Sequence, residues 1–474
     1  QVPVIFHEQP TNGITYLDMA IPTDAFSAEE YAYLTLYTAA LTAMGTETQR
    51  WDTVAAEFAY LTGGFSAVMF AAGKHRAAEP AVFFDNALSA AEIVDRDWVL
   101  IRAKMLSEYL TPAVNRIFSY LDTLSFSDEK RLKDIVIQLK NDFDSIPAYS
   151  GHSLAALYAG AAYSGAKRAE SIWTGIPQVC FLRELYKNLE HDPAAIGTLV
   201  RRLTDIHRKV LGAGMLVKVC GSAAAMHAAK QALTPHLQRF GFPNRSTEGF
   251  RADGDRAGSF EKPAAFSGFP SAVQVGFAAL LLPVDFHERD YGAAIVYAQW
   301  LETGSLWEAI RVTGGAYGVS AYPDSTSGLF TLTTYRDPTP LTSLCRIRHA
   351  IEKSRTAPLS ESELEALITG TYSVALQPRT PAQRSAAAFS RLLNGITHHA
   401  RAWFIEGIIS CTKDKLNRVA DQLAAAFPES SAAIIASETA LRPTAEHADL
   451  PPLTMMFLKS QAVRSNRLDT MFIL

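Results

Sequence analysis

Residues 192 to 222 read DPAAIGTLVRRLTDIHRKVLGAGMLVKVCGS, and this stretch decides the fold class. Asp192-Pro193 predicts an N-cap followed by a proline at the first helical position. Ile196, Leu199, Val200, Leu203, Ile206 and Val210 then fall on one face of a helix. Gly212 and Gly214 stop that helix, Met215 to Cys220 is strand-like, and Gly221-Ser222 is a turn opening a second helix to Phe240. Helix, strand and helix with tight joints predict a mixed α/β layer fold.

Working outward, Pro243 to Pro270 loses all periodicity and is rich in Gly, Ser, Pro, Arg and Asp. Residues 243–265 are therefore expected to link a first α/β domain, 1–242, to a second, 266–440. Beyond the linker come a strand-like run, Ala272 to Leu282, and a helix from Arg289 to Leu301. A turn-strand-turn-strand unit over Arg311 to Tyr335 follows. Helices are predicted over Glu361–Gly370, Pro381–Leu393, Ala400–Ser410 and Thr412–Phe427, then a strand over Ser430–Ser437. On the amino-terminal side, Val2 to Ala20 alternates around a turn at Thr11-Asn12-Gly13-Ile14. Ser27 caps a helix that Gly45 ends, and a second helix runs from Gln49 to Leu61 before Gly63-Gly64. Ala81–Phe84 reads as a short strand, and Ala90–Thr123 as a long helix broken near Pro112. Both halves thus follow one plan, a duplicated α/β domain visible as pattern rather than identity. The tail, 441–474, has no counterpart in the first half.

Composition sets limits on function. A chain of 474 residues predicts about two to four domains. Hydrophobic residues at 48% and charged residues at 19% describe a packed protein. A net charge of -4 carries no nucleic-acid footprint. Cys180, Cys220, Cys345 and Cys411 form no CxxC pair, which argues against a zinc ribbon or a disulfide framework and predicts buried free thiols. The longest apolar run, Phe277 to Val284, is far too short to span a membrane. The chain opens at Gln1 without a charged and then apolar leader, so its start is expected to be internal to a longer precursor or a cut boundary.

The segment richest in chemistry is Arg311-Val-Thr-Gly314-Gly315-Ala-Tyr317-Gly318. Glycines around an Ala-Tyr pair let the backbone turn sharply and approach a ligand closely. The strand after the turn gives Tyr317 a rigid support. Its phenol offers a neutral donor for an oxyanion, and the Arg311 guanidinium a cationic donor for carbonyl oxygens. The pattern is neither GxGxxG nor GxxxxGK[ST], so it is a poor phosphate cradle. Read without reference to any family, the same residues also describe a glycine-rich hairpin turn with an ordinary surface arginine.

With Tyr335-Arg336-Asp337-Pro338 downstream, this segment resembles the second-half signature of the pitrilysin/insulinase metallopeptidases, in their presequence-protease branch. Thr11-Asn12-Gly13-Ile14-Thr15-Tyr16, Met44-Gly45-Thr46 and Leu61-Thr62-Gly63-Gly64-Phe65-Ser66 resemble first-half motifs of that family in the same order. The resemblance spans roughly residues 1 to 438. It implies two homologous domains, each a mainly antiparallel sheet packed with helices, in the carboxy-terminal half of a zinc peptidase. It also implies that Arg311, Gly314, Gly315 and Tyr317 hold a peptide substrate, with Tyr317 steadying the tetrahedral intermediate. The family's zinc motif, HxxEH, is missing. Lys187-Asn-Leu-Glu190-His191 has lysine where the first ligand must stand, and lysine does not ligate such sites. Glu190-His191 reads instead as a helix end, and His398-His399 as a surface pair that cannot converge on a metal. The resemblance therefore implies no cofactor in this chain. Zinc and the catalytic centre would belong to an amino-terminal half in the same precursor or on a partner chain. The cysteine pattern fits a reducing compartment, cytoplasm or an organelle matrix, and the charge and short apolar runs predict no nucleic-acid or membrane partner. The alternative is a non-catalytic scaffold or interaction subunit of the same family.

Overall fold

The computed structural model describes residues 2–73, 82–83, 88–89, 93–241, 263–448 and 450–456. The strands are β1 (Val4–Glu8), β2 (Ile14–Pro22), β3 (Gly64–Ala71), β4 (Val82–Phe83), β5 (Leu88–Ser89), β6 (Asp97–Leu106) and β7 (Leu216–Gly221), then β8 (Phe266–Pro270), β9 (Gly276–Pro283), β10 (Gly318–Asp324), β11 (Leu329–Asp337), β12 (Ser431–Ala436) and β13 (Thr454–Met455). The first large sheet has the order β1-β7-β2-β6-β3, and the second the order β10-β11-β9-β12-β8-β13. In both, the opening strand runs parallel to the closing one, β1 with β7 and β8 with β12. The closing strand is antiparallel to the second strand, and an antiparallel pair completes the sheet. The two sheets therefore share one strand order, and each is mainly antiparallel and packed with helices. The turn at Asn12-Gly13, both with positive φ, joins strands that are not neighbours, because β7 lies between β1 and β2.

Alternation along β2 explains the first sheet. Leu17, Met19 and Ile21 face a large core under the helices Ala28–Leu41, Leu110–Thr123 and Ala195–Gly212, while Tyr16, Asp18 and Ala20 face the other way. The long helix expected over Ala90–Thr123 is corrected. Residues 90–92 lie outside the described residues, Asp97–Leu106 is the strand β6, and the helix is Leu110–Thr123. The apolar run Trp98-Val-Leu-Ile is buried on both faces of a strand flanked by β2 and β3, which hides the period of two. Pro112 lies in the first turn of its helix, where a missing N–H costs nothing. Asp192 is also corrected. It is the C-cap of Ile176–His191, and Ala194 stands at the next N-cap.

Two helices tie the halves together. Glu129–Gly160, for which periodicity gives no expectation, bends at Ser150 (φ -135°) three residues after Pro147. Its last turns bury Leu154, Ala155, Tyr158 and Ala159 against Phe269, Leu281 and Ile435 of the second sheet. In return Pro381–Leu393, from the second half, buries Phe389, Leu392 and Leu393 on Ala20, Trp98, Leu100 and Leu216 of the first. The tail returns to the second sheet through Thr454 and Met455, which pair with Ser267 and Gly268. Residues 243–262 of the expected linker lie outside the described residues, as do 457–474. The four cysteines are free thiols, and among the described residues no helix is long and apolar enough to cross a membrane.

Candidate functional site

The segment 311–318 is not a hairpin turn. Arg311 sits on a π-helical stretch, Trp307–Val312, and the glycines join it directly to β10. The hairpin proper closes at Gly328 (φ +67°), between β10 and β11. Wide helical turns of this kind are rare and recur at functional sites. Here Thr313 N donates to Glu308 O at 2.9 Å, Gly315 N to Arg311 O at 3.0 Å and Ala316 N to Ile310 O at 3.1 Å. Those bonds leave no room at Gly314. A Cβ there would fall on the carbonyl of Ile310 and within 2.6 Å of Arg346 Nη1. Gly315 has φ +76°, a conformation that L side chains rarely adopt. Both glycines therefore shape the joint.

Tyr317 is 64% exposed at the start of β10. Its N–H is shared between Tyr335 O at 3.1 Å and Arg336 O at 3.3 Å. That grip depends on an irregularity in β11 between Thr334 and Asp337, where Arg336 takes φ +50°. A bulge of this kind re-aims the neighbouring strand. The Tyr317 ring stands edge-on to Tyr335 at 5.8 Å, and Tyr335 in turn meets His152 at 5.1 Å and Phe277 at 5.6 Å. Asp337, fully buried, accepts from Thr339 N at 2.9 Å and anchors the end of the bulge, and burial pushes its carboxyl above the ordinary aspartate value. The Arg311 guanidinium lies 4.1 Å over the Trp307 ring and 5.6 Å from the Tyr317 ring. Aromatic faces on both sides orient the cation without neutralising it.

Arg311 and Tyr317, six positions apart in sequence, are thus side by side and exposed. A guanidinium and a phenol in that relation can donate to successive carbonyl oxygens of an extended chain. Sequence reasoning missed Trp307, Tyr335 and His152, which set the geometry. Tyr335 stands out in the sequence only as part of a motif, and nothing local marks His152, which reaches the site on a helix of the other half.

A metal does not fit the described residues, among which no group of three or more His, Cys, Asp or Glu could hold an ion. Lys187–His191 ends a helix, with the ring of His191 bonded back to Lys187 O at 2.8 Å. His398 and His399 open another helix.

The tandem α/β units define the pitrilysin type of fold. A crystal structure described as the inactive domain of peptidase M16 from Pseudomonas fluorescens matches with a TM-score of 0.61 at 15% identity, covering 94% of this chain and 97% of that one. Pitrilysin matches with a TM-score of 0.58 at 14% identity over 96% of this chain and 44% of that one. Residues 1–185 match the family described as associated with peptidase M16, subfamily C, and residues 274–439 the family described as PreP C-terminal domain. The mitochondrial presequence protease of Eremothecium gossypii is 26% identical over 432 residues, covering 88% of this chain and 41% of the relative. That of Danio rerio is 23% identical over 447 residues, with the same two coverages of 88% and 41%. The chain belongs to the M16 peptidase family, in its presequence-protease branch, and corresponds to the carboxy-terminal half of those proteins. It spans about two fifths of the length of the curated relatives it matches.

Proposed function

We propose that this chain is the substrate-holding half of a zinc-dependent metalloendopeptidase acting on short unfolded peptides. The observation that carries this reading is the exposed pairing of Arg311 with Tyr317 on a rigid, glycine-shaped joint. Arg311 donates to a carbonyl of the bound peptide backbone and fixes its register. Tyr317 donates its phenolic hydrogen to the oxygen that gains charge at the scissile carbonyl. Gly314 and Gly315 are binding residues in an indirect sense, since they permit the turn that brings the pair together. Zinc belongs, on this reading, to a separate amino-terminal half, covalently joined or not, and the residues here bind and orient. A domain described as inactive yet of the same shape supports a half without its own metal. The relatives' names give mitochondria as their compartment, and an organelle matrix or cytoplasm is our reading for this chain.

The test combines the chain with the metal-bearing half of a presequence protease. Alone it should carry no stoichiometric zinc and cleave no peptide. In the assembly, Tyr317→Phe should lower kcat with KM little changed, since one lost oxyanion donor costs roughly 2.7–4 kcal/mol. Unchanged turnover removes Tyr317 from the chemistry and leaves the scaffold reading standing.

A further inference from the structure

The second face of the first sheet carries a charged row that the site above does not use. Asp18 on β2 stands opposite Arg102 on β6 and opposite Lys218 on β7, and Arg102 stands opposite Ser66 on β3. One step along, Tyr16 faces Lys104. Directly opposed side chains on one face are neighbours. Lys218, 2% exposed, is satisfied by Asp18 at 2.6 Å and by Ser385 O at 3.1 Å. That leaves Asp18 little to offer Arg102, whose Nε is 3.5 Å from it, buried and without a hydrogen-bond partner. Lys104 is exposed, and no carboxylate is paired with it among the described residues. Three cations therefore meet one carboxylate. They line an open cavity of about 300 Å³ bordered by Phe65 and by Ala382, Ser385 and Ala386 of the helix Pro381–Leu393. The Ser385 hydroxyl is also buried without a hydrogen-bond partner.

We infer that this cavity is a binding site for a carboxylate, taken between Arg102 and Lys104, with the apolar wall receiving the carbon skeleton that bears it. A guanidinium that shares its one carboxylate, Asp18, with Lys218, and an ammonium that no carboxylate pairs among the described residues, are the donors such a group requires. The volume exceeds that of a bare inorganic anion and suits one amino-acid residue. The source of the carboxylate, a peptide's terminus or an acidic side chain, rests on the peptide-holding reading above. The site itself does not.

Calorimetric titration of the whole chain tests this with N-acetylalanine, N-acetylglutamic acid α-amide and the neutral N-acetylalanine amide. One or both acids should bind and the neutral amide should not. The acid that binds names the source. Lys104→Ala, at an exposed position, and Arg102→Gln should each weaken that binding by about tenfold, the loss of one charge-assisted contact. Arg311→Ala should leave it unchanged. Binding of the neutral amide as tightly as the acids, binding of neither acid, or wild-type affinity in Lys104→Ala overturns the proposal. Failure of the peptide-holding reading shows separately, as an Arg311→Ala variant that binds long peptides like the wild type while still taking up the small acids.

Discussion

At the scale of single residues, the site is shaped by two adjacent glycines that do different work. Alanine at Gly315 makes only an ordinary van der Waals contact, with Pro338 Cγ at 3.6 Å, so the cost is that of φ +76° alone, about 1 kcal/mol. Alanine at Gly314 meets the Ile310 carbonyl and the Arg346 guanidinium, an overpacking that costs about 1–3 kcal/mol. Urea-unfolding midpoints should therefore rank wild type, Gly315→Ala and Gly314→Ala in falling order. A reversed order for the two variants would mean that the π-helical stretch yields easily and does not hold Arg311 in place. The spacing from Arg311 to Tyr317 was legible because both side chains belong to one short segment. The π-helical form of that segment was not, since no residue pattern distinguishes it from a turn. The cation row of Lys218, Arg102 and Lys104 was equally silent. Its members are brought together by strand pairing across more than a hundred positions.

At the scale of elements, the legible pieces were those with a single apolar face. Pro381–Leu393 is found as expected, Lys413–Ala426 within one residue of the expected ends, and the helix expected over Glu361–Gly370 runs on to Ala375; Ser360, Thr380 and Thr412 are their N-caps. The pieces that escaped are covered on more than one side. β6 is apolar on both faces over Trp98-Val-Leu-Ile before its charged residues Arg102 and Lys104, and Glu129–Gly160 turns different faces to the two halves on either side of its bend. One link between helices has a consequence in solution. His207, on Ala195–Gly212, is buried between Tyr37 Oη at 2.9 Å and Leu121 O at 2.7 Å, and so joins three helices as a neutral ring. Burial holds its pKa below the ordinary 6.5, against the opposing pull of Leu121 O and Asp122. The unfolded chain then binds this proton before the folded one does. Stability attributable to His207 is complete above about pH 6.5 and is lost as pH falls from there toward the depressed folded value. His207→Gln keeps a donor and an acceptor but no titration, and should flatten the stability-against-pH curve below that point. An equally steep curve in the variant would place the acid sensitivity elsewhere, with half-buried His152 the next candidate.

At the scale of the whole molecule, the repeated strand order conceals an exchange of helices. Each sheet borrows part of its cover from the other half. Gly151 is one point of tight approach, where a Cβ would fall on the ring of Phe277. Phe389 is the reciprocal one, 2% exposed and packed with Trp98 and Leu216. Separating the halves would strip apolar area from both sheets at once, so the chain is predicted to unfold in a single step rather than in two. Its tryptophans allow the measurement. Trp51, Trp98 and Trp173 report on the first half, and Trp300, Trp307 and Trp403 on the second. Two proteins that each keep only one set should show one shared urea midpoint. Phe389→Ala leaves a cavity worth about 3–5 kcal/mol. It should lower the midpoint equally in both, although the residue touches only the first sheet. Two midpoints, or a shift seen only by the first set, would show that the halves fold independently and that the exchanged helices merely dock.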